Sequence, residues 1–374
     1  MKVLLINEVF GTTSTGKICA QIAEQLEAEG CDVKVAYGRW KKVPDKYQRF
    51  ARYIGSAYEV KLHVLQTRLF DLHGFGSVRV TKKFLKWAES FQPDLIWLHN
   101  LHGYYINIEL LFAWIKMHPE IQVRWTLHDC WAFTGHCAYF SAVNCEQWKT
   151  GCKNCPQLRK YPACYGLGAV EQNYARKKKA FSGVCNMVLI TPSKWLANLV
   201  KQSFLKDYPV EVHYNRINRD DFKPTSSDFR KRHNLENKIV VLGVASIWDE
   251  RKGIGDFYQL ANMLTDQYAI VLVGLTEKQI RKLPQNIIGI ERTSSPKELA
   301  AIYTAADVFV NPTHEDNYPT VNLEAQACGA KLITYNTGGS VETLEDGIHR
   351  VVDCGDVFGL KREIEAIVRK ANKD

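Results

Sequence analysis

The sequence contains no run of about 18 apolar residues, so no segment of it reads as a helix that crosses a bilayer. Nor does it open on a secretion signal. The first apolar run, Val3-Leu4-Leu5-Ile6, is short and is broken at once by Asn7 and Glu8, so a first buried strand is expected there. No nucleic-acid-binding motif is found. The glycine loop Gly11-Thr12-Thr13-Ser14-Thr15-Gly16-Lys17 has neither the spacing nor the Lys-Ser/Thr ending of a Walker loop. The eleven cysteines are odd in number and lack a secretory context. They point to a reducing cytosol, where cysteines are free, catalytic or bound to metal. A cytoplasmic location is therefore expected.

A chain of 374 residues, 46% hydrophobic and 24% charged, is globular and long enough for two domains. Its net charge of +9 is bunched. One group comprises Arg39, Lys41, Lys42, Lys46, Arg49 and Arg52; another is Arg176, Lys177, Lys178 and Lys179. A solvated basic face explains them, and so does an anionic membrane surface, which gains about 1 kcal/mol per nearby cation. Without a motif, nucleic acid ranks below both. A peripheral position at the inner face of a membrane is the sharper expectation.

Short β-branched runs alternate with amphipathic stretches, the pattern of parallel sheets flanked by helices. Strands are expected at 3–7, 33–37, 95–99, 123–127 and 188–191, then at 240–245, 270–273, 287–290, 308–311 and 332–335. Helices are expected at 16–29, 81–91, 106–117, 255–264, 277–283, 296–305, 320–328 and 357–371. The polar stretch 218–237 reads as a join. The fold class is α/β, with two Rossmann-like doubly wound domains facing each other across a cleft. The divisions are 1–212, carrying a cysteine-rich loop at 130–164, then 213–356, then a final helix over 357–374 packing back toward the first domain. In such sheets ligands sit beyond the carboxyl ends of strands.

One such end is Asn311, followed by Pro312-Thr313-His314-Glu315-Asp316-Asn317-Tyr318-Pro319-Thr320-Val321 and then Glu324. Pro319 suits the first turn of a helix, and the N–H groups of Thr320 and Val321 would make a diphosphate site. Asp316 and Glu324, eight positions apart, could accept hydrogen bonds from sugar hydroxyls, or be ordinary solvent-facing acids. Another strand end carries Ser246 and then Arg251 and Lys252, two cations suited to a pyrophosphate leaving group. A third leads to Gly338-Gly339, which permits close backbone approach.

The run from Asp316 through Glu324-Ala325-Gln326-Ala327-Cys328-Gly329, with Gly338-Gly339 and Glu342, resembles the donor motif of retaining glycosyltransferase family 4. That family has the GT-B fold, and the likeness is to its bacterial exopolysaccharide, colanic-acid-type members across essentially the whole chain. The resemblance implies that Glu324 binds the donor ribose, Asp316 the transferred sugar and Lys252 the phosphates of a UDP- or GDP-sugar. It extends the donor set to Gly16, Glu315, Asn317, Tyr318, Pro319, Thr320 and Val321. Three positions depart from the family: Asp316 stands where Glu is usual, Ser246 falls near the usual phosphate-binding Arg, and Arg216 replaces a common Gly. Arg251 can compensate for the missing Arg. At a position that needs positive φ, Arg216 would be strained.

In the first half, His99 and His102 follow one strand, and His128 and Asp129 follow the next. By the resemblance His128 contacts the donor sugar near the reacting carbon and, with Asp316 and Lys252, forms the catalytic set. His99, His102 and Asp129 shape the acceptor side. No Asp-x-Asp, the metal element of the other main glycosyltransferase fold, occurs, so transfer without a catalytic metal is expected. The implied reaction moves a hexose-type sugar, with retention, to a glycan or lipid-linked oligosaccharide. The competing readings are a nucleotide-sugar epimerase, a hydrolase using Asp129, and a non-catalytic sugar-nucleotide-binding subunit of a polysaccharide assembly complex.

Cys137, Cys145, Cys152 and Cys155 share one loop, and Cys152-x-x-Cys155 is a common zinc half-site. A structural zinc stapling this loop is expected, against free thiols or a redox pair.

Overall fold

Strands covered by helices on both faces need apolar side chains at nearly every position, and the β-branched runs supply them. In the computed structural model, which describes residues 1–39, 42–347 and 349–371, these runs build two parallel sheets. Lys41 of the first basic group and residues 372–374 of the final segment lie outside the described residues. The chain divides into two compact units, Met1–Tyr214 and Asn215–Asp374.

The first unit holds β1 (Lys2–Asn7), β2 (Asp32–Tyr37), β3 (Ala51–Tyr53), β4 (Leu95–Leu98), β5 (Gln122–Thr126), β6 (Met187–Thr191) and β7 (Val210–Val212). Their order is β3-β2-β1-β4-β5-β6-β7, with every pair parallel. The second holds β8 (Ile239–Val244), β9 (Tyr268–Val273), β10 (Ile287–Ile290), β11 (Val308–Asn311), β12 (Lys331–Asn336) and β13 (Arg350–Asp353). Its order is β10-β9-β8-β11-β12-β13, again all parallel. Each sheet reverses its winding direction once, between β1 and β4 and between β8 and β11. Those reversals are where doubly wound sheets open a crevice for ligands.

Several expectations are corrected. Strands β3, β7 and β13 were not foreseen; they are short edge strands with mostly exposed or half-buried positions and no apolar run to read. Helices Ala57–Phe70, Val170–Phe181 and Lys194–Val200 were missed too. The stretch 218–237 is not a free join: Phe222 and Phe229 are buried, and Phe222 packs edge-on to Tyr303. It belongs to the second unit's core. Arg216 is not among the described residues with left-handed backbone, so the strain expected there is absent. The final helix, Val357–Ala371, buries Val357, Leu360, Ile364 and Ile367 with Phe257 and Val352 of the second unit. The second basic group is not one solvated face. Lys177 is buried, and Arg176 pairs with Glu109 at 2.6 Å while stacking on Phe75.

Candidate functional site

In the second unit, the chain leaving β8 passes exposed Ser246 and turns at Glu250–Lys252, where the Asp249 carboxylate accepts the Lys252 N–H at 2.9 Å. Gly253 completes the turn at φ +74°, and a Cβ there would lie 2.2 Å from the Pro312 carbonyl oxygen. The turn therefore rests directly on the loop after β11. Across this contact the Arg251 carbonyl accepts the His314 N–H, and Arg251 Nη1 donates to the Glu315 carbonyl, both at 2.8 Å.

The result is a close charge pair. Lys252 Nζ lies 2.5 Å from Asp316 Oδ2, with the two side chains 20% and 15% exposed. Burial pushes the Asp316 carboxyl upward, but the charges of Lys252 and then Arg251 outweigh it and hold the group below the usual carboxylate range. The Asn317 N–H donates to the other carboxylate oxygen at 2.9 Å. Glu315, Asn317 and Tyr318 are buried. Pro319 stands just before the helix Thr320–Ala327 rather than within its first turn, and no side chain caps that helix start. Thr320 and Val321 thus open the helix beside the Asp316 loop, with the first N–H groups and the positive dipole end there. One turn on, Glu324 accepts a hydrogen bond from the Tyr303 hydroxyl at 3.1 Å.

The close approach expected at Gly338-Gly339 is made to the protein's own backbone. Gly338 has φ +54°, and a Cβ on it would sit 1.7 Å from the Asp316 carbonyl oxygen. The Gly339 N–H donates to that same oxygen at 3.3 Å. Asp316 is therefore clamped from below by the β12 loop and from the side by Lys252.

In the first unit, His99, His102, His128 and Asp129 line one pocket with Trp125 and Trp131. His99 Nδ1 and His128 Nε2 share a hydrogen bond at 3.1 Å and the rings stack. Burial pulls the His128 pKa down to about 4 and that of His99 well below its usual value, so both rings are neutral at pH 7. His99 Nε2 is buried with no hydrogen-bond partner among the described residues. His102 is different. It bridges Asp129 Oδ2 at 2.9 Å and the Tyr161 hydroxyl at 3.0 Å. Burial opposes its charge, yet the Asp129 carboxylate raises its pKa, and Asp129 itself is held low despite burial. Gly16 lies inside the helix Thr13–Ala28, which begins earlier than expected; a Cβ on it would sit 3.1 Å from Val9 Cγ2, so its small size serves helix packing.

Residues 225–374 match the family described as Glycosyl transferases group 1. The second unit is a group 1 glycosyltransferase domain. Over 355 residues the chain is 22% identical to the putative colanic acid biosynthesis glycosyl transferase WcaC of Escherichia coli, covering 87% of this chain and 80% of that one. A 122-residue stretch is 28% identical to the N,N'-diacetylbacillosaminyl-diphospho-undecaprenol alpha-1,3-N-acetylgalactosaminyltransferase of Campylobacter jejuni, 32% of each chain. Among solved structures, sucrose-phosphate synthase of Thermosynechococcus elongatus superposes with a TM-score of 0.69 at 16% identity, covering 98% of this chain and 90% of that one. HepE of Anabaena, in complex with UDP-glucose, gives 0.64 at 15% identity, covering 100% and 91%. At such identities the likeness shows the fold, which is GT-B.

The first unit carries a separate feature. Cys137, Cys145, Cys152 and Cys155 line one small pocket with Phe140 and Trp148. The Cys137 thiol donates a hydrogen bond to the Cys155 sulfur, which pushes Cys137 up and brings Cys155 down to about 6. Cys152 Sγ accepts the Gly135 N–H at 3.2 Å. As these side chains stand, no three His, Cys, Asp or Glu among the described residues form a group able to hold a metal ion. The sequence reading missed Lys177, whose ammonium donates to the Trp131 and Thr134 carbonyls at 2.8 and 3.1 Å and sits 3.6 Å above the Trp131 ring. Nothing local separates it from its charged neighbours Lys178 and Lys179.

Proposed function

We propose that this glycosyltransferase moves a hexose-type sugar from a UDP- or GDP-sugar to a glycan or lipid-linked oligosaccharide, with retention and without a catalytic metal, in surface polysaccharide synthesis. The Lys252–Asp316 pair beside an uncapped helix start carries this reading. Lys252, Arg251 and the N–H groups of Thr320 and Val321 would take the diphosphate; Asp316, once Lys252 turns to phosphate, accepts sugar hydroxyls, and Glu324 accepts the ribose. Charge developing on the leaving diphosphate is neutralised by fixed cations and a helix dipole, so the acceptor hydroxyl can attack on the leaving-group side and pass its proton to a phosphate oxygen. Neutral His128 and His99 suit hydrogen bonding to uncharged sugar better than proton abstraction. Support comes from the UDP-glucose bound to HepE and from the undecaprenol-linked acceptor in the Campylobacter enzyme's name. No helix among the described residues is long and apolar enough to cross a membrane, so a lipid-linked acceptor would be met at the surface, by the exposed members of the basic groups.

A product assay tests the reading. Incubation with UDP- and GDP-hexoses and lipid-linked acceptors should give a glycoside of the donor's anomeric configuration by NMR, unaffected by EDTA. An inverted product overturns retention. Interconversion of the donor without acceptor favours an epimerase, and binding without turnover favours a non-catalytic subunit.

We also propose a structural zinc for the cysteine loop. Four thiols around one pocket, with an N–H already directed at Cys152 Sγ, suit a tetrahedral thiolate site once the side chains rotate inward. Protein purified under reducing conditions should carry about one zinc per chain; its absence by elemental analysis after zinc supplementation rejects the site.

A further inference from the structure

A second reactive constellation lies in the same unit as the donor loop and is not used by the reaction above. Cys354 follows β13 and is exposed. Its Sγ is 3.5 Å from His314 Nδ1, and His314 Nε2 is 2.8 Å from Asp256 Oδ2. The three residues come from separate elements: the loop after β13, the loop after β11, and the first turn of the helix Ile254–Met263. Asp256 is largely buried and His314 about one-third exposed, so the ion pair is shielded on its inner side and open at the sulfur. The His314 ring is steadied edge-on by Tyr335.

From this arrangement we infer that Cys354 is an activated thiol, a site of covalent modification by low-molecular-weight disulfides and soft electrophiles, with His314 and Asp256 as its positioning residues. With the carboxylate on Nε2, His314 carries protons on both nitrogens; its pKa is raised to about 10, first by Asp256 and then by Cys354. The Nδ1–H then points at the sulfur, and a cation in that place is what makes a cysteine react as thiolate. The thiol proton goes to solvent. The thiolate attacks one sulfur of a disulfide R–S–S–R, the new S–S bond forms as the old one breaks, and the departing RS⁻ takes up a proton as RSH.

The position gives the modification a consequence that rests on the donor-site reading. The His314 N–H is held by the Arg251 carbonyl and its own carbonyl by the Thr337 hydroxyl, at 2.8 Å each, immediately before Glu315 and Asp316. An adduct on Cys354 removes the sulfur from His314 and places bulk against the segment that carries Asp316.

The test is a pulse of iodoacetamide on the folded full chain, with peptide mass spectrometry of each cysteine. Cys185, also exposed, is the internal reference. Cys354 should label at least about tenfold faster than Cys185, and His314→Gln and Asp256→Asn should each remove most of that advantage with the Cys185 rate unchanged. Glutathione disulfide should give one mixed disulfide, at Cys354, absent from Cys354→Ser. Labelling no faster than Cys185, or a rate indifferent to His314→Gln in a variant of wild-type melting temperature, overturns the assignment. UDP titration of the singly modified protein then reads the coupling. A several-fold rise in Kd supports it, and an unchanged Kd refutes the coupling. Failure of the unmodified protein to bind any nucleotide counts against the donor reading instead.

Discussion

Asp316 sits where three constraints meet: Lys252 on its carboxylate, Asn317 N–H on the same group, and Gly338 beneath its carbonyl. The tightest of these is steric. Gly338→Ala would place a methyl inside the Asp316 carbonyl, so the loop must shift, at about 1–3 kcal/mol in stability. Donor binding should weaken with it, and denaturant unfolding alongside nucleotide titration measures both. Glu324→Ala acts through chemistry instead. It removes a charged acceptor from the proposed ribose position and should weaken nucleotide-sugar binding roughly 10- to 100-fold, the range of a hydrogen bond to a charged group. Calorimetric titration with UDP and GDP, each against its sugar conjugate, reads that loss. Affinity within a factor of about two of the parent would remove Glu324 from the donor site. The shorter acid at 316 was plain from the sequence. That Gly338 lies hard against the Asp316 carbonyl was not, because the two are joined only by packing.

At the scale of elements, the helix Ala57–Phe70 was invisible to pattern reading because its buried residues, Val60, His63 and Thr67, include only one aliphatic. It is anchored by a histidine. His63 Nδ1 meets the Ser77 hydroxyl at 2.8 Å, while Nε2 lies 3.0 Å from the Leu72 carbonyl oxygen and 3.2 Å from the Gly74 and Gly76 nitrogens. Burial lowers its pKa to about 4, against the opposing pull of the Leu72 and Tyr104 backbone, so the ring is neutral at pH 7. The sign follows: between pH 4 and the ordinary 6.5 the unfolded chain binds a proton that the folded chain refuses. Stability should therefore rise with pH across that window and be complete above it, with His63 alone contributing on the order of 3 kcal/mol. His128 and His99 act in the same direction. Urea midpoints from pH 4 to 8 should show the slope, and His63→Gln should flatten it while lowering the plateau. A midpoint independent of pH below 6.5 contradicts the neutral-histidine account.

At the scale of the molecule, two units with separate cores should respond separately to ligand. Binding to the native state alone raises stability by about 2.7 kcal/mol at a hundredfold excess over Kd. A nucleotide without its sugar, held by residues of the second unit, should shift that unit's hydrogen-exchange protection upward and leave the β1–β7 sheet largely unchanged. Protection rising first around His99 and His128 would move the donor site to the first unit.

Local pattern in the chain was enough for the α/β class, ten of the thirteen strands among the described residues and the resemblance to group 1 glycosyltransferases. These depend on local patterns: an apolar run buried on both faces, a proline before a helix start, an acid eight positions from another. Tertiary structure decided the rest. Edge strands β3, β7 and β13 exist because a neighbour offers hydrogen bonds, not because their residues form a recognisable run. Lys177 is an interior residue only because Trp131 and Thr134 supply a ring and two carbonyls around it. Cys354 becomes more than a spare thiol only when folding brings His314 and Asp256, forty and ninety-eight residues away, to its side. Contacts made across such distances leave no period or spacing in the chain, so only the folded backbone could reveal them.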